Sequence, residues 1–265
     1  MPSPLGKPPN LPKLPWLYAI PTGALPAEVE CEGCKYLLAQ TFKHDFFAAT
    51  GLYNQKDRAA VLKVGRIGGF FGLPLSWIGR SLRNREVRIY RRVADLPGVP
   101  ALIGTVGPTG FMHDFVPGHP LGRDERVGDA FFDQLEALLR EIHARDIAYV
   151  DLNKRQNVLV GDDGRPYLID FQISYELPRW RLLRWGPWLW TLRRLQKADW
   201  YHFCKHKVRL RPDLATAEER RAVEHVSIWI RMHRWIARPI IQARRGLLRR
   251  IRKQETANIA GSDAK

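Results

Sequence analysis

From Lys35 onward the chain alternates short apolar runs with polar breaks. Tyr36 to Lys43, Phe46 to Tyr53 and Ala59 to Val64 are rich in apolar, aromatic and β-branched residues, and polar turns separate them at Lys43-His44-Asp45 and Asn54-Gln55-Lys56-Asp57. This pattern predicts an antiparallel meander of three strands. The period changes over Ser81 to Val93, where Val87, Ile89, Tyr90 and Val93 recur among charges and predict a helix. Leu96-Pro97-Gly98-Val99-Pro100 ends it, and two strands follow over Leu102 to Val106 and Gly110 to Phe115. Asp129 to Arg145 carries the clearest helical stripe, made by Phe132, Leu135, Leu139 and Ile142. Beyond Ala148-Tyr149-Val150-Asp151, two short strands, Val158 to Val160 and Tyr167 to Ile169, flank the hairpin turn Gly161-Asp162-Asp163-Gly164. The remainder is basic and helical in tendency, with breaks at Pro187, Pro212 and Pro239, and no internal repeat is visible. The expected class is α+β.

Composition narrows this picture. A chain of 265 residues, 45% hydrophobic, can bury a full core, so disorder as the main state is excluded. The first 26 residues hold eight prolines and no basic-then-apolar pattern, which reads as an extended lead and not a secretory signal. The longest uncharged run, Leu96 to His113, is too broken by proline and glycine to span a bilayer as a helix. The expected location is cytoplasmic, at most peripheral at the inner face of the cytoplasmic membrane. Cys31, Cys34 and Cys204 make no disulfide framework. Cys31-Glu32-Gly33-Cys34 has zinc-ligand spacing, but a tetrahedral site needs two more ligands and only His202, Cys204 and His206 offer themselves, so a turn between two half-buried thiols is the preferred reading.

Charge is unevenly placed. Residues 1–172 carry a net of +2 and residues 173–265 a net of +14, and the latter also hold seven of the nine tryptophans. Arginine interleaved with tryptophan suits an anionic membrane surface, since indoles settle at the interface while guanidinium groups pair with phosphate. Nucleic acid is the less favoured partner for the same residue types.

Five residues then fall in a telling order: Lys63 in Val61-Leu62-Lys63-Val64, Glu86 on the next helix, Asp151 after the long helix, Asn157 before the hairpin and Asp170 after it, in Leu168-Ile169-Asp170-Phe171-Gln172. Taken singly each has a bland reading, an edge-strand lysine, an intrahelical ion pair or a cap. In this order and on these elements the chain resembles the protein-kinase-like superfamily over roughly residues 35–172. The resemblance implies a two-lobed fold, with an N-lobe over 27–115 built on a small antiparallel sheet and one main helix, a mainly helical C-lobe over 116–253, a flexible lead over 1–26 and a disordered tail over 254–265. It implies ATP and Mg2+ as cofactors. Lys63 would contact the phosphates, Glu86 would orient Lys63, Asn157 and Asp170 would hold magnesium, and Asp151 would position the attacking hydroxyl and accept its proton. The adenine-binding hinge would be Met112-His113-Asp114-Phe115-Val116, with Asp114, Phe115 and Val116 as its contacts.

Departures from the family pattern qualify this. Asp151 and Asn157 are six residues apart where five is usual, so Lys154 or Arg155 takes the place of the lysine that steadies the γ-phosphate. Tyr149-Val150 replaces the usual His-Arg, which leaves no arginine there to read a phosphorylated loop. The phosphate-covering turn lacks glycine, so Lys43 or His44 would supply charge instead. Gln172 stands where glycine is usual, which points to a rigid, constitutively formed site. Asp199 matches either the buried helix aspartate that braces the catalytic loop in this superfamily or a solvated surface residue.

Among kinase-like groups, the basic C-terminal third argues against cationic substrates, and no Ala-Pro-Glu closes an activation segment. The chain looks most like the lipopolysaccharide core kinases, the Kdo and heptose kinase group, which implies an anionic or lipid-linked sugar substrate and docking on anionic head groups through Arg179, Arg181, Arg184, Arg193 and Arg194. The run Ile67 to Pro74 is a second candidate contact, with ordinary core packing as its alternative. An atypical Ser/Thr protein kinase and a non-catalytic kinase-like scaffold that binds membrane or RNA are the competing functions.

Overall fold

The alternation over residues 28–65 is realised as sheet in a computed structural model that describes residues 18–44, 46–56, 58–67, 76–178 and 185–224. β1 (Glu28–Cys31), β2 (Cys34–His44), β3 (Ala48–Gln55), β4 (Arg58–Gly65), β5 (Leu102–Val106) and β6 (Gly110–Asp114) form an antiparallel sheet in the order β1-β2-β3-β4-β6-β5. Side chains alternate as the pleat requires: Ala60, Leu62 and Val64 of β4 join a core with Tyr36, Tyr53 and Met112, while Lys63 belongs to the opposite face. The sheet curls until its edges meet, because a Cβ at Gly104 of β5 would lie 2.9 Å from Cys31 Sγ of β1. Cys31 and Cys34 face each other across a two-residue turn in which Glu32 (φ 49°) and Gly33 (φ 73°) are both left-handed, as a tight hairpin demands.

The lead expected over residues 1–26 is not free from Tyr18 on. Ala19, Ile20 and Leu25 are buried, Ile20 and Leu25 within the same core. Tyr53 donates its hydroxyl to Pro26 O at 2.7 Å, and Ile67 N–H donates to Ala19 O at 2.9 Å.

α1 (Ser76–Arg92) crosses the end of β4 at very short range: a Cβ at Gly79 would lie 2.2 Å from Arg66 O, so only glycine lets the helix approach there. The helix starts five residues before the expected Ser81 and buries Glu86, Val87, Ile89 and Tyr90. α2 (Phe131–Ala144) follows the predicted stripe, burying Phe131, Phe132, Leu135, Leu138, Leu139 and Ile142. The second half is less purely helical than expected. β7 (Gly118–Pro120), β9 (Val158–Gly161) and β10 (Pro166–Leu168) make a three-stranded sheet, and β8 (Ile147–Ala148) pairs with β11 (Tyr175–Glu176). α3 (Gly186–Leu210) is one long helix, and two of the three prolines read as breaks are its punctuation, Pro187 in the first turn and Pro212 just beyond the end, while Pro239 lies outside the described residues.

Residues 18–215 lie in one compact unit, and a separate unit begins at Thr216, inside the span expected to be continuous C-lobe. In that second unit α4 (Ala217–Glu224) opens with a reciprocal cap: Thr216 N–H donates to Glu219 Oε2 at 2.7 Å and Glu219 N–H to Thr216 Oγ1 at 3.2 Å. Trp180, Trp229, Trp235, Arg179, Arg181, Arg184, most of the run from Ile67 to Pro74 and the residues of the expected tail lie outside the described residues.

Candidate active site

Lys63, Glu86 and Asp170, up to 107 residues apart in sequence, meet at one ammonium group. Lys63 Nζ donates to Glu86 Oε1 at 2.8 Å, to Glu86 Oε2 at 2.9 Å and to Asp170 Oδ1 at 2.7 Å. Burial alone would favour a neutral lysine, but the two carboxylates outweigh it and raise the Lys63 pKa. For Asp170 burial is outweighed by Lys63 and Lys154, which hold its carboxyl below the ordinary range. Glu86, 2% exposed, is pushed up by burial, with Lys63 opposing. Asp170 is left-handed (φ 63°), which turns its carboxylate toward Lys63 as Phe171 enters the core between Tyr90 and Tyr149, 5.1 and 5.2 Å away between ring centroids.

Asp151 gathers a second cluster. Its Oδ2 accepts from Lys154 Nζ at 2.6 Å and from Asn157 Nδ2 at 2.8 Å. The six-residue spacing is two successive i,i+3 turns, with Lys154 N–H on Asp151 O and Asn157 N–H on Lys154 O, both 3.0 Å. The additional residue is thus wound into a 3₁₀ turn over Arg155–Asn157, and Asn157 still returns to Asp151. Ile169 N–H donates to Asn157 O at 3.1 Å, which brings the backbone before Asp170 beside Asn157.

Backbone conformation before Asp151 is unusual. Val150, a β-branched residue, has φ 70°, a conformation of real steric cost. Asp199 of α3 holds it there: its Oδ1 accepts from Val150 N–H and its Oδ2 from Tyr149 N–H, both at 2.7 Å, and His143 Nε2 lies 3.1 Å from Oδ2. Asp199 is fully buried, which decides between its two readings in favour of the brace. Burial pushes its carboxyl up, against the pull of His143 and the two amides. His206, one helix turn pair further on, pins Leu152 O at 2.8 Å.

Tyr149, noted in the sequence only as a departure, ties these parts together. Its hydroxyl bonds Ile169 O and, at 3.3 Å, Asn157 O, and its carbonyl accepts from Ser174 Oγ at 2.9 Å. A tyrosine at that place gave no signal in the sequence, because its partners are main-chain carbonyls.

The hinge residues divide. Asp114 N–H donates to Ala101 O at 2.8 Å and Phe115 N–H to Ala59 O at 3.1 Å, so both amides belong to the sheet and are not open to a nucleotide. Of the three expected hinge contacts, Asp114 and Phe115 thus keep only their carbonyl groups for a nucleotide. Asp114 O accepts from His113 Nδ1 at 2.8 Å and its carboxylate takes Arg58 at 2.6 and 2.9 Å, whereas the Val116 amide has no hydrogen-bond partner among the described residues. His44 is also committed elsewhere. Its Nε2 lies 3.2 Å from Ile20 N and its Nδ1 3.0 Å from Gly23 O, so both ring nitrogens are engaged by the backbone of the segment before the sheet.

Oxygen donors dominate where a cation would sit. Asn157 directs its amide nitrogen to Asp151, which leaves the carbonyl oxygen as its ligating atom, and the Asp170 carboxylate is 34% exposed; both are hard ligands of the kind magnesium takes. Among the described residues no group of three or more His, Cys, Asp or Glu stands ready for a metal, so such an ion would need oxygens from another source.

By fold the chain stands with protein-kinase-like structures. It is similar to the Rio2 kinase of Chaetomium thermophilum, solved as an ADP/Mg2+-phosphoaspartate complex, with a TM-score of 0.50 at 15% identity. The match covers 71% of this chain and 62% of that one, so less than two thirds of the solved chain is represented. No family model and no curated protein matches the chain by sequence.

Proposed function

We propose that the chain is an ATP- and Mg2+-dependent phosphotransferase with a two-lobed arrangement, and that its acceptor is a hydroxyl, most simply one on a lipid-linked sugar at the cytoplasmic face of a membrane. The observation that carries the reading is the single Lys63 ammonium shared by Glu86 and Asp170. A lysine held by a buried glutamate at 2.8 Å beside an aspartate at 2.7 Å that is partly open to solvent is the arrangement that a phosphate-binding cation next to a metal-binding carboxylate requires.

Bound ATP and Mg2+ would bring the transferable phosphoryl group and the means to neutralise its charge. Lys63, fixed by Glu86, then offers its cation to the phosphates, and Asp170 and Asn157 offer oxygens to the metal. Val116 N–H is the hinge amide open to adenine. Asp151 Oδ1 has no hydrogen-bond partner among the described residues, while Oδ2 is held by Lys154 and Asn157, so Oδ1 is the atom that accepts the proton of an incoming hydroxyl. Lys154 Nζ, on the same carboxylate, stands at the edge of the site with 53% of its side chain exposed.

Support for a membrane-linked acceptor comes from the start of α3. Trp185, Trp188 and Trp190 are 65%, 43% and 60% exposed, and no acidic residue precedes Asp199 on that helix. Exposed indoles among Arg193, Arg194 and Lys197 suit an anionic bilayer surface. Trp200 is excluded from this surface, since it stacks on Phe203 at 5.0 Å beneath Arg140. No helix of the described residues is long and apolar enough to cross a membrane.

Calorimetric titration of ATP with and without magnesium, on the wild-type chain and on Asp170→Ala, tests the reading. Magnesium-dependent binding that vanishes in the variant is the expected result. Failure of both to bind at millimolar nucleotide leaves a non-catalytic scaffold. An acceptor screen with glycolipid and protein substrates then separates the sugar kinase from a Ser/Thr protein kinase, and sedimentation with anionic vesicles, weakening as salt rises, checks the docking surface.

A further inference from the structure

α1 carries Glu86 toward Lys63 on one side and a row of arginines on another. Arg85, Arg88 and Arg92 all reach the segment that follows Asp170. Arg88 Nε donates to Glu176 Oε2 and Arg92 Nη1 to Glu176 Oε1, each at 2.7 Å, and Arg85 Nη2 donates to Ser174 O. The Glu176 side chain is only 5% exposed, a deep position for a carboxylate in a strand of two residues. Although burial alone would raise it, Arg92 and Arg88 hold that carboxyl below the ordinary range.

The same segment reaches the loop that presents Asp151. Glu176 pairs in register with Ile147 and Tyr175 with Ala148, and Leu177 N–H donates to Asp146 O at 3.0 Å. Ser174 Oγ holds Tyr149 O. Arg92 also donates to Arg145 O, and Arg145 returns Nη1 to Arg92 O at 2.7 Å while forking onto Asp95. Through Ser174 and Glu176 the arginine face of α1 is thus tied both to the segment that follows Asp170 and to the strand that leads to Asp151.

We infer that Glu176 is a positioning residue: a built-in anion that clamps Arg88 and Arg92 and so holds α1 where Glu86 meets Lys63, with the Asp151 loop fixed by the same strand. Kinase-type switches order such segments by adding a phosphate that arginines then read. Here a genetically encoded carboxylate, six residues after Asp170, fills that electrostatic role permanently. The catalytic pair is assembled without modification or effector. This inference rests on the phosphotransferase reading for its consequence, but not for its geometry.

The test uses the full chain as wild type, Glu176→Gln, Glu176→Asp and Arg88→Ala, with Lys35→Ala as a control that removes an exposed ion pair on the far edge of the sheet. Nucleotide-free protein is pulsed with acetic anhydride, and acetylation of Lys63 is read by mass spectrometry beside the thermal midpoint. Release of α1 should raise Lys63 labelling about tenfold in Glu176→Gln, on the scale of replacing charge-assisted hydrogen bonds by neutral ones. Arg88→Ala should follow in the same direction, Glu176→Asp should lie between, and Lys35→Ala should match wild type. In ATP·Mg2+ titrations the same order should appear, and Glu176→Gln should add nothing to Glu86→Gln if it acts through that residue. Variants that lose thermal stability while Lys63 labelling and nucleotide affinity stay at wild type overturn the inference. If the wild-type chain binds no ATP, the functional reading fails and the labelling series still decides the role of Glu176.

Discussion

The two acidic centres of this site are built in opposite ways. Asp170 stands in a cluster compensated by side chains: a strand lysine neutralises it directly, and a helix glutamate on the same ammonium holds that lysine in place. Asp151 stands on an irregular loop whose shape is imposed through the main chain, by Asp199 on the amides of Tyr149 and Val150 and by Tyr149 on the carbonyls of Asn157 and Ile169. The first arrangement holds a charge, and the second holds a position. A phosphotransferase needs both, since one centre must bind phosphate and metal while the other must aim a hydroxyl.

The largest effect should separate these two tasks. Asp151→Asn should lower turnover about 10²- to 10⁴-fold, the usual range for loss of a general base, with ATP·Mg2+ affinity near wild type. Lys63→Met should weaken nucleotide binding instead. Steady-state kinetics paired with calorimetry reads both, and loss of nucleotide affinity in Asp151→Asn would break the division.

The same contrast explains what could be read in advance. The strands around Lys63, the helix of Glu86 and the α2 stripe follow a period of two or of about three and a half, so the side-chain cluster was legible from order and element. The hairpin over 161–164 was legible from its turn residues. Unlike β9 and β10, which a hairpin turn marks, the two- and three-residue strands β7, β8 and β11 leave no periodic trace, and the Glu176 clamp went with them. Asp199 could be placed only as one of two options, because its partners are backbone amides about 50 residues away and amides carry no residue identity. The backbone contacts of His44 were hidden for a related reason: the turn over Ile20 to Gly23 that engages its ring lies in a segment whose prolines conceal its core role.

On the sheet side, His113 offers a pH test. Burial, countered only in part by the Asp114 carbonyl, drops its pKa to about 4 from the ordinary 6.5, so the folded chain holds it neutral. Between those values the unfolded chain binds the extra proton, so stability is full above pH 6.5 and is lost as pH falls toward 4. The loss should reach at most about 3 kcal/mol. Urea midpoints from pH 7 to 4 should show this acid slope and His113→Leu should flatten it; an unchanged slope would mean that other groups carry it.

On the loop side, Asp199→Asn leaves one carbonyl oxygen where two amides need acceptors. One buried N–H is left unpaired, at about 1–3 kcal/mol. Because the group released is the backbone of Tyr149 or Val150, turnover should fall while ATP·Mg2+ affinity holds, in the pattern of Asp151→Asn and not of Lys63→Met. Denaturant unfolding with parallel kinetics checks this, and a loss of nucleotide affinity equal to the loss of turnover would show that the two centres are not separately built.

The smallest effect belongs to Lys154, which touches both centres: it bonds Asp151 and helps to hold the Asp170 carboxyl low. Its side chain is 53% exposed, and an ion pair so open to water contributes little to folding. Lys154→Ala should therefore leave the unfolding midpoint where it is. Its reach toward both carboxylates suits the cation expected beside a γ-phosphate, so the KM for ATP should rise by about fivefold, a Coulombic loss on the scale of one partly solvated charge. A rise in KM with stability unchanged assigns Lys154 to the nucleotide, and a fall in stability with KM unchanged would return it to the loop as a structural partner of Asp151.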